Sequence, residues 1–311
     1  LPESGDEVQL VSNSWGSSAV IADGWDEVSR FVHALNLRPD EATGRPLAEQ
    51  VTFLVSTGNG GHGYGTVTAP DGATILDVGA STLYGNLSVF EPVTLEQTLF
   101  GEVQPWSNRG PGALGDMAPD LLAVGAWGLA PLPLNLFTAP DGQTAYDAFG
   151  GTSMSTPLAA GGAALVYQAF RQVNGRWPSW RETRELLLGG AQELGYEPAV
   201  QGAGDLRADR SVEAVLGSAV TLSPAEWQPG DYHGAAAAAY PRILTSGQSA
   251  EQSFTLANPG AADLDYTLSA VRLERVHEET FTLPYAPPAP EYNSVWPLYL
   301  EPVNRRLAPS W

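Results

Sequence analysis

The sequence has 311 residues, 43% of them hydrophobic, which is enough to bury a full core with room for one large and one smaller domain. Its 15 basic and 35 acidic residues give a formal net charge of −20, which repels phosphate and predicts that nucleic acid is not a partner. The absence of cysteine excludes disulfides, thiolate metal sites and cysteine nucleophiles.

Targeting signals are not evident in the sequence. The longest apolar runs, such as residues 158–169, are shorter than a membrane span and are interrupted by Gly161 and Gly162, so we expect no membrane partner. Residues 1–10 contain acidic side chains and no basic cluster, which is not typical of a signal peptide. The acidic excess favours solubility, and we expect a secreted, extracellular protein.

The first two thirds of the chain show strands alternating with helices. Residues 8–14, 51–57 and 74–80 are short β-rich runs that predict buried strands. Residues 24–37 predict a helix with Asp23 as its cap, because Val28, Phe31, Val32 and Leu35 recur at helical spacing. Two further helices are predicted, over 151–170 and 180–188. We therefore predict an α/β fold with a mostly parallel sheet in residues 1–217.

A different pattern begins near Ser218. Residues 253–256 and 264–268 alternate apolar and polar side chains around the turn signal NPG at 258–260. Prolines become frequent after residue 283, which predicts an extended tail. We expect residues 218–311 to form a β-rich domain that ends in this Pro-rich tail.

The segment GGTSMSTP, residues 150–157, carries the clearest chemical signal. It places the Ser153 hydroxyl at the start of a predicted helix, where unpaired backbone N–H groups and the helix dipole can hold an oxyanion. A Gly-Thr-Ser triplet by itself is more often only a helix cap. The length of this segment and the blocks that accompany it favour a catalytic role.

The segment resembles the nucleophile motif of the subtilases, the subtilisin-like serine proteases. Four further blocks resemble the same family in the same order. They are VSNSWG at 11–16, STGNG at 56–60, WSNRGP at 106–111 with APD at 118–120, and QGAG at 201–204.

The resemblance implies a three-layer subtilisin-like fold and a serine endopeptidase that forms an acyl-enzyme. Ser153 would be the nucleophile, and Asn59 would donate to the oxyanion. A fibronectin-III-like domain is implied for residues 218–311. The remaining residues that the resemblance places at the substrate are Ser14, Trp15, Gly16, Ser56, Thr57, Gly58 and Thr152.

A base for Ser153 is not evident in the sequence. In subtilases the catalytic aspartate and histidine precede the strand that here contains Ser14, yet residues 1–13 hold no histidine and only Asp6 as an aspartate. His62 is a weak substitute in a loop, and His33 is expected at the surface. We therefore expect an N-terminal fragment of the same protease to supply both groups, and the isolated chain to be inactive.

Two other functions are alternatives to the protease hypothesis. The chain could be a non-catalytic peptide-binding or scaffold protein derived from a subtilase. An α/β-hydrolase is disfavoured because Ser155 occupies the last position of the required Gly-X-Ser-X-Gly. No cofactor or metal is predicted: calcium would suit the acidic excess, but no Asp-X-Asp-X-Asp loop is present.

Overall fold

The computed structural model describes residues 7–82, 102–113, 115–126, 128–131, 146–227, 247 and 249–270. The chain forms two compact units, Leu1–Thr267 and Leu268–Trp311. Of the second unit, residues 268–270 are described and have no regular secondary structure. The predicted Pro-rich tail lies outside the described residues, and the domain boundary at 217/218 stays a prediction.

Strands and helices alternate through the first unit. The strands are β1 (Leu10–Asn13), β2 (Ser17–Ile21), β3 (Thr52–Ser56), β4 (Thr68–Ala69), β5 (Ile75–Thr82), β6 (Leu121–Ala126), β7 (Gly128–Pro131), β8 (Tyr146–Phe149), β9 (Thr221–Ser223) and β10 (Thr255–Ala257). The helices are α1 (Glu27–Leu37), α2 (Thr152–Asn174), α3 (Trp180–Gly190), α4 (Pro198–Gln201) and α5 (Ala208–Val215).

A four-stranded parallel sheet in the order β1-β3-β5-β6 forms the centre of the unit. Strands β3, β5 and β6 are short apolar runs that are mostly buried, as is usual in parallel sheets. Strand β1 is half-buried with Ser12 exposed, contrary to the predicted burial. The three strands predicted from the sequence are β1, β3 and β5. The prediction of a mostly parallel sheet is therefore confirmed.

Helices cover both faces of this sheet. Leu54 points to the face covered by α2 and α3, where it joins one core cluster with Ala159, Val166 and Leu187. Its neighbour Val55 points to the opposite face and packs against Val32 of α1, because successive side chains of a strand alternate. The result is a three-layer α/β/α arrangement.

Helix α1 differs from its prediction in two ways. Its N-cap is Asp26, which accepts from the N–H groups of Val28 and Ser29, rather than Asp23. Only part of the apolar stripe faces the core: Val32 is buried, but Phe31 is 62% exposed, whereas His33, expected at the surface, is buried. The reason is that α1 packs on the polar segment before β5, where His33 Nδ1 hydrogen-bonds Thr74 Oγ1.

The β-rich region is represented by one described pair, in which β9 and β10 run antiparallel. The strand predicted at 253–256 corresponds to β10. Residues 264–268 form no strand, contrary to prediction. The side chains of β10 are exposed, Leu256 among them.

No helix in the described part of the chain combines the length and the hydropathy that a membrane crossing needs.

Candidate active site

Ser153 lies in the first turn of α2, the long central helix. The preceding Gly151 has φ +145°, a conformation that favours glycine, and donates its N–H to Gly125 O on β6 over 2.7 Å. No partner accepts from the Ser153 N–H within the described residues. This N–H therefore faces the site at the positive end of the helix dipole.

Asn59 follows β3 and lies beside the same helix terminus. Its Oδ1 accepts from the Thr152 N–H at 2.8 Å and from Thr152 Oγ1 at 2.9 Å. Because Oδ1 is held by these two donors, the amide Nδ2 is the group of Asn59 that remains to donate. The described residues offer it no acceptor.

The two donors converge on one space beside Gly151. A methyl group built on Gly151 would lie 3.3 Å from Asn59 Nδ2 and 3.7 Å from the Ser153 nitrogen. Glycine is needed here because any side chain would block the approach to both donors. Two converging N–H groups next to a serine hydroxyl form the arrangement that stabilises a tetrahedral oxyanion.

Ser14 links the end of β1 to the nucleophile. Its Oγ donates to Ser153 O at 2.9 Å, and Ser153 Oγ donates to Ser14 O at 3.3 Å. These reciprocal contacts hold the segment after β1 against the first turn of α2. They also leave the Ser153 hydroxyl with a carbonyl as its acceptor rather than a base.

The segment that follows Ser14 is open to solvent. Trp15 is 51% exposed, and Gly16 approaches Thr68 so closely that a Cβ would lie 2.6 Å from Thr68 Oγ1. An exposed indole beside the nucleophile can contact a bound chain, whereas a core tryptophan would be buried. The structure thus places Trp15 at the surface.

The block 56–59 is buried except at its end. Ser56 and Thr57 are buried, and Thr57 Oγ1 donates to Val78 O, so their side chains face the sheet. Gly58 (φ +102°) and Asn59 reach the surface. A contribution of this block to a substrate pocket therefore comes from Gly58 and the backbone rather than from the side chains of Ser56 and Thr57.

Two polar contacts of the site were not foreseen from the sequence. The Thr152 hydroxyl, which donates to Asn59, also accepts from the Gly58 N–H at 3.2 Å. Asn108, inside the WSNRGP block, is almost fully buried and hydrogen-bonds Thr57 O and the Gly60 N–H. The available signal for the second contact was an asparagine inside a recognisable motif.

The described histidines do not hydrogen-bond Ser153. His33 lies on the buried face of α1, and burial lowers its pKa to about 4, which Asp26 opposes only partly. His62 lies in the turn after Asn59 and makes no hydrogen bond within the described residues. The described residues also contain no cluster of three or more histidine, aspartate or glutamate side chains placed to hold a metal ion.

Comparison with known proteins assigns the chain to a family. The family model described as Subtilase family (Peptidase_S8) matches residues 3–210. Tripeptidyl-peptidase 2 of Caenorhabditis elegans is 33% identical over 136 residues, which are 41% of this chain and 9% of that protein. Serine protease AprX of Bacillus subtilis is 29% identical over 168 residues, which are 52% of this chain and 35% of AprX.

Solved structures of proteases are also similar. A lanthipeptide protease has 20% identity and a TM-score of 0.46, covering 66% of this chain and 61% of its own. The prenylagaramide maturation protease PagA has 21% identity and a TM-score of 0.46, covering 69% of this chain and 64% of its own. Because the family match spans residues 3–210, more than half of the sequence, the chain belongs to the subtilase family of serine proteases.

Proposed function

We propose that this chain carries the nucleophile and oxyanion site of a serine endopeptidase. Ser153 Oγ attacks the scissile carbonyl while a base takes its proton, and the carbonyl oxygen becomes an oxyanion held by Asn59 Nδ2 and the Ser153 N–H. Collapse expels the amine, which takes up the proton, and leaves an acyl-Ser153 ester. Water then hydrolyses the ester. The convergence of both donors beside Ser153 supports this proposal.

The substrate proposed is an extended polypeptide. Ser14, Trp15 and Gly16 form an exposed stretch beside the nucleophile, and an extended peptide can add to such a stretch through main-chain hydrogen bonds. The Trp15 side chain would then border one substrate residue and narrow that subsite. The tripeptidyl-peptidase 2 relatives raise tripeptide release as the alternative mode of cleavage, which product analysis distinguishes.

The proposed base comes from a further polypeptide segment that carries the catalytic aspartate and histidine. Helix α2 has an exposed apolar stripe running away from the site: Leu158 is 46% exposed, Leu165 is 53% exposed, and no atom of the described residues lies within 4 Å of a Cβ built on Gly161. This spacing keeps the three positions on one face. An apolar helix face that begins one turn from Ser153 is suited to hold such a segment.

The edge of the sheet supports the same location. Within the described residues β1 pairs with β3 alone, so its other edge carries backbone groups that lack a partner strand. A strand added parallel to β1 would have its carboxyl end beside the carboxyl end of β1, where Ser14 and Ser153 lie. A residue at the carboxyl end of that strand would therefore reach the nucleophile.

A non-catalytic peptide-binding protein is the second candidate. The observation that favours it is that the Ser153 hydroxyl donates to Ser14 O, and no described histidine accepts its proton. In that case the exposed stretch at Trp15 would hold a peptide without cleaving it.

Fluorophosphonate labelling separates the two functions. The purified chain is treated with a fluorophosphonate, and intact mass spectrometry then reports the modified residue and any copurifying polypeptide. Ser153→Ala removes the nucleophile. Ser155→Ala is the matched control, because Ser155 Oγ lies in the same motif but is buried and hydrogen-bonds none of the described residues; this variant should label as the wild type does.

Each outcome selects one function. Labelling at Ser153 together with a second polypeptide supports the split protease, and casein digested with that complex distinguishes internal cleavage from tripeptide release. Labelling without a second polypeptide would show that the chain has its own base. An unlabelled chain that still binds an extended peptide supports the non-catalytic function.

A further inference from the structure

Asn108 hydrogen-bonds the turn that contains Asn59. Its side chain is 1% exposed, its Oδ1 accepts from the Gly60 N–H at 2.6 Å, and its Nδ2 donates to Thr57 O at 2.7 Å. Its own N–H donates to Gly58 O at 3.0 Å. One residue thus holds the backbone on both sides of Asn59, although it lies about fifty positions later in the sequence.

The turn and the segment that contains Asn108 are in close contact. A Cβ built on Gly58 would lie 2.2 Å from Asn108 Nδ2, and one on Gly61 would lie 2.0 Å from Ser107 O. Neither distance is possible for a real side chain, so glycine at both positions permits the fit. Asn108 is in turn held rigidly, because its neighbour Ser107 accepts from the Ala80 N–H of β5 through Oγ.

Asn59 is therefore restrained from two directions. Thr152 binds its side-chain oxygen from the helix terminus, whereas Asn108 hydrogen-bonds the backbone of the residues on either side of it. A donor contributes to catalysis only when it lies within about 2.7–3.1 Å of the position that the oxyanion will occupy. A misplacement of about 1 Å can cost about 10²-fold in rate.

We propose that Asn108 is a positioning residue of the oxyanion site, which fixes the backbone of residues 57–60 so that Asn59 Nδ2 points at the reacting carbonyl. This inference rests on the proposed role of Asn59. It assigns to Asn108 a task separate from general stability. Removal of its side chain frees the Gly60 N–H and takes one donor from Thr57 O, which keeps two donors from Thr68. The turn thus loses both side-chain restraints of Asn108, whereas the Asn108 N–H still donates to Gly58 O.

The test compares two buried asparagines in the isolated chain. Asn108→Ala removes the proposed positioning residue, and Asn108→Ser retains a hydroxyl for one of its two partners. Asn36→Ala is the matched control. Asn36 lies on α1, away from the site, where it is 2% exposed and donates to Thr74 O. The first readout is the ¹⁵N-resolved side-chain amide of Asn59, assigned by its disappearance in Asn59→Ala.

In Asn108→Ala the Asn59 amide signals should move toward random-coil shifts and exchange faster with water, whereas in Asn36→Ala they should stay unchanged. Unchanged signals in a folded Asn108→Ala would overturn the proposal. Hydrogen exchange in the wild type provides an independent check should the variants fail to fold. Exchange of the Gly60 N–H as fast as an exposed loop amide would also overturn it.

The second readout is the rate of Ser153 phosphonylation at pH 9, where hydroxide can replace the missing base. Asn108→Ala should slow labelling about 10-fold, as expected for a misplaced donor. Combined with Asn59→Ala it should add nothing, because a positioning residue acts only through Asn59. An additive loss would mean that Asn108 acts elsewhere. If the wild type does not label at all, the proposed function fails for this chain and the Asn59 amide signals alone decide the role of Asn108.

Discussion

The two ends of the parallel sheet carry opposite kinds of polar chemistry. At the carboxyl ends of β1 and β3 lie Ser14 and Asn59, which are neutral and held by Ser153 and Thr152. Toward the amino ends of β5 and β6 lies a buried acidic cluster of Asp71, Asp77, Asp116 and Asp120. Two oxygens of this cluster, Asp71 Oδ2 and Asp77 Oδ1, have no hydrogen-bond partner in the part of the chain that the structure describes.

The contrast shows how one sheet separates its electrostatic tasks. An oxyanion site works best with fixed neutral donors, which need no rearrangement when charge develops. A nearby carboxylate would oppose that charge. The acidic groups instead lie at the opposite end, where burial rather than catalysis determines their protonation.

Burial is the main cause of the unusual protonation in the acidic cluster. It raises the pKa of Asp71 to about 7, although the Gly24 N–H opposes the rise. It raises the pKa of Asp120 to about 6 even though Arg184 lowers it. Burial, with smaller contributions from neighbouring carboxylates, also holds the pKa values of Asp77 and Asp116 well above their usual range.

The largest effect is expected from Arg184→Met. Arg184 donates to Asp120 and Glu226, and removing one partner of a buried pair costs about 3–5 kcal/mol of unfolding free energy. Urea unfolding at pH 8 measures it. The control is Arg176→Met, which breaks an exposed pair with Glu182 and should cost about 1 kcal/mol or less. Equal losses in the two variants would show that the acidic cluster does not depend on Arg184.

The next largest effect is expected at the carboxyl ends of β1 and β3, which we call the neutral end of the sheet. Once a base is supplied, Asn59→Ala should lower kcat about 10²–10³-fold, because one oxyanion donor is lost. Its unfolding free energy should fall by about 1 kcal/mol, since the Asn59 side chain is exposed but accepts two hydrogen bonds from Thr152. Steady-state hydrolysis of a chromogenic peptide tests this. A variant that loses stability instead of rate would place Asn59 in the scaffold rather than the site.

Stability should fall as the pH rises through neutrality. A carboxyl group whose folded pKa is raised from 3.8 to about 7, as in Asp71, binds its proton more tightly in the folded state. Its stabilisation is complete below about pH 4 and is lost as the pH rises to about 7 and above. The melting temperature followed by calorimetry should therefore decrease between pH 5 and 8.

Asp71→Asn sharpens this test. The variant keeps a neutral side chain at all pH values, so the decrease between pH 5 and 8 should be smaller than in the wild type. Glu213→Gln removes the same formal charge at an exposed position and should leave the decrease unchanged. A melting temperature that rises over this range in the wild type would contradict the protonation assigned to the acidic cluster.

The sequence predicted the architecture well because its signals are local. The buried strands were visible as short apolar runs, and the α2 terminus was visible as the GGTSMSTP segment. The buried face of helix α1 was predicted only in part: Val32 of its apolar stripe is in the core, whereas Val28 and Phe31 are exposed. Thr74 determines which face of α1 packs on the sheet, because it hydrogen-bonds His33 and Asn36. Thr74 lies beyond the next strand, so a local pattern does not show this contact.

The site was predictable only in part, because some of its contacts join residues that are distant in the sequence. Ser153 and Asn59 lie in recognisable motifs, and the structure places them side by side. The contacts that hold Asn59 connect residues far apart in the chain: Thr152 lies 93 positions after it, and Asn108 lies 48 positions after Gly60. No local pattern reveals such pairings.

The smallest effect expected at the site concerns the Thr152 hydroxyl, which accepts from the Gly58 N–H and donates to Asn59 Oδ1. Thr152→Val preserves the shape and removes both contacts, whereas Thr152→Ser preserves both. The valine variant should lose about 10-fold in kcat with KM little changed, because the Thr152 N–H still holds Asn59. The serine variant should stay within about 2-fold of the wild type. Equal rates for the two variants would mean that the backbone alone orients Asn59 and that the side-chain network at the neutral end is dispensable.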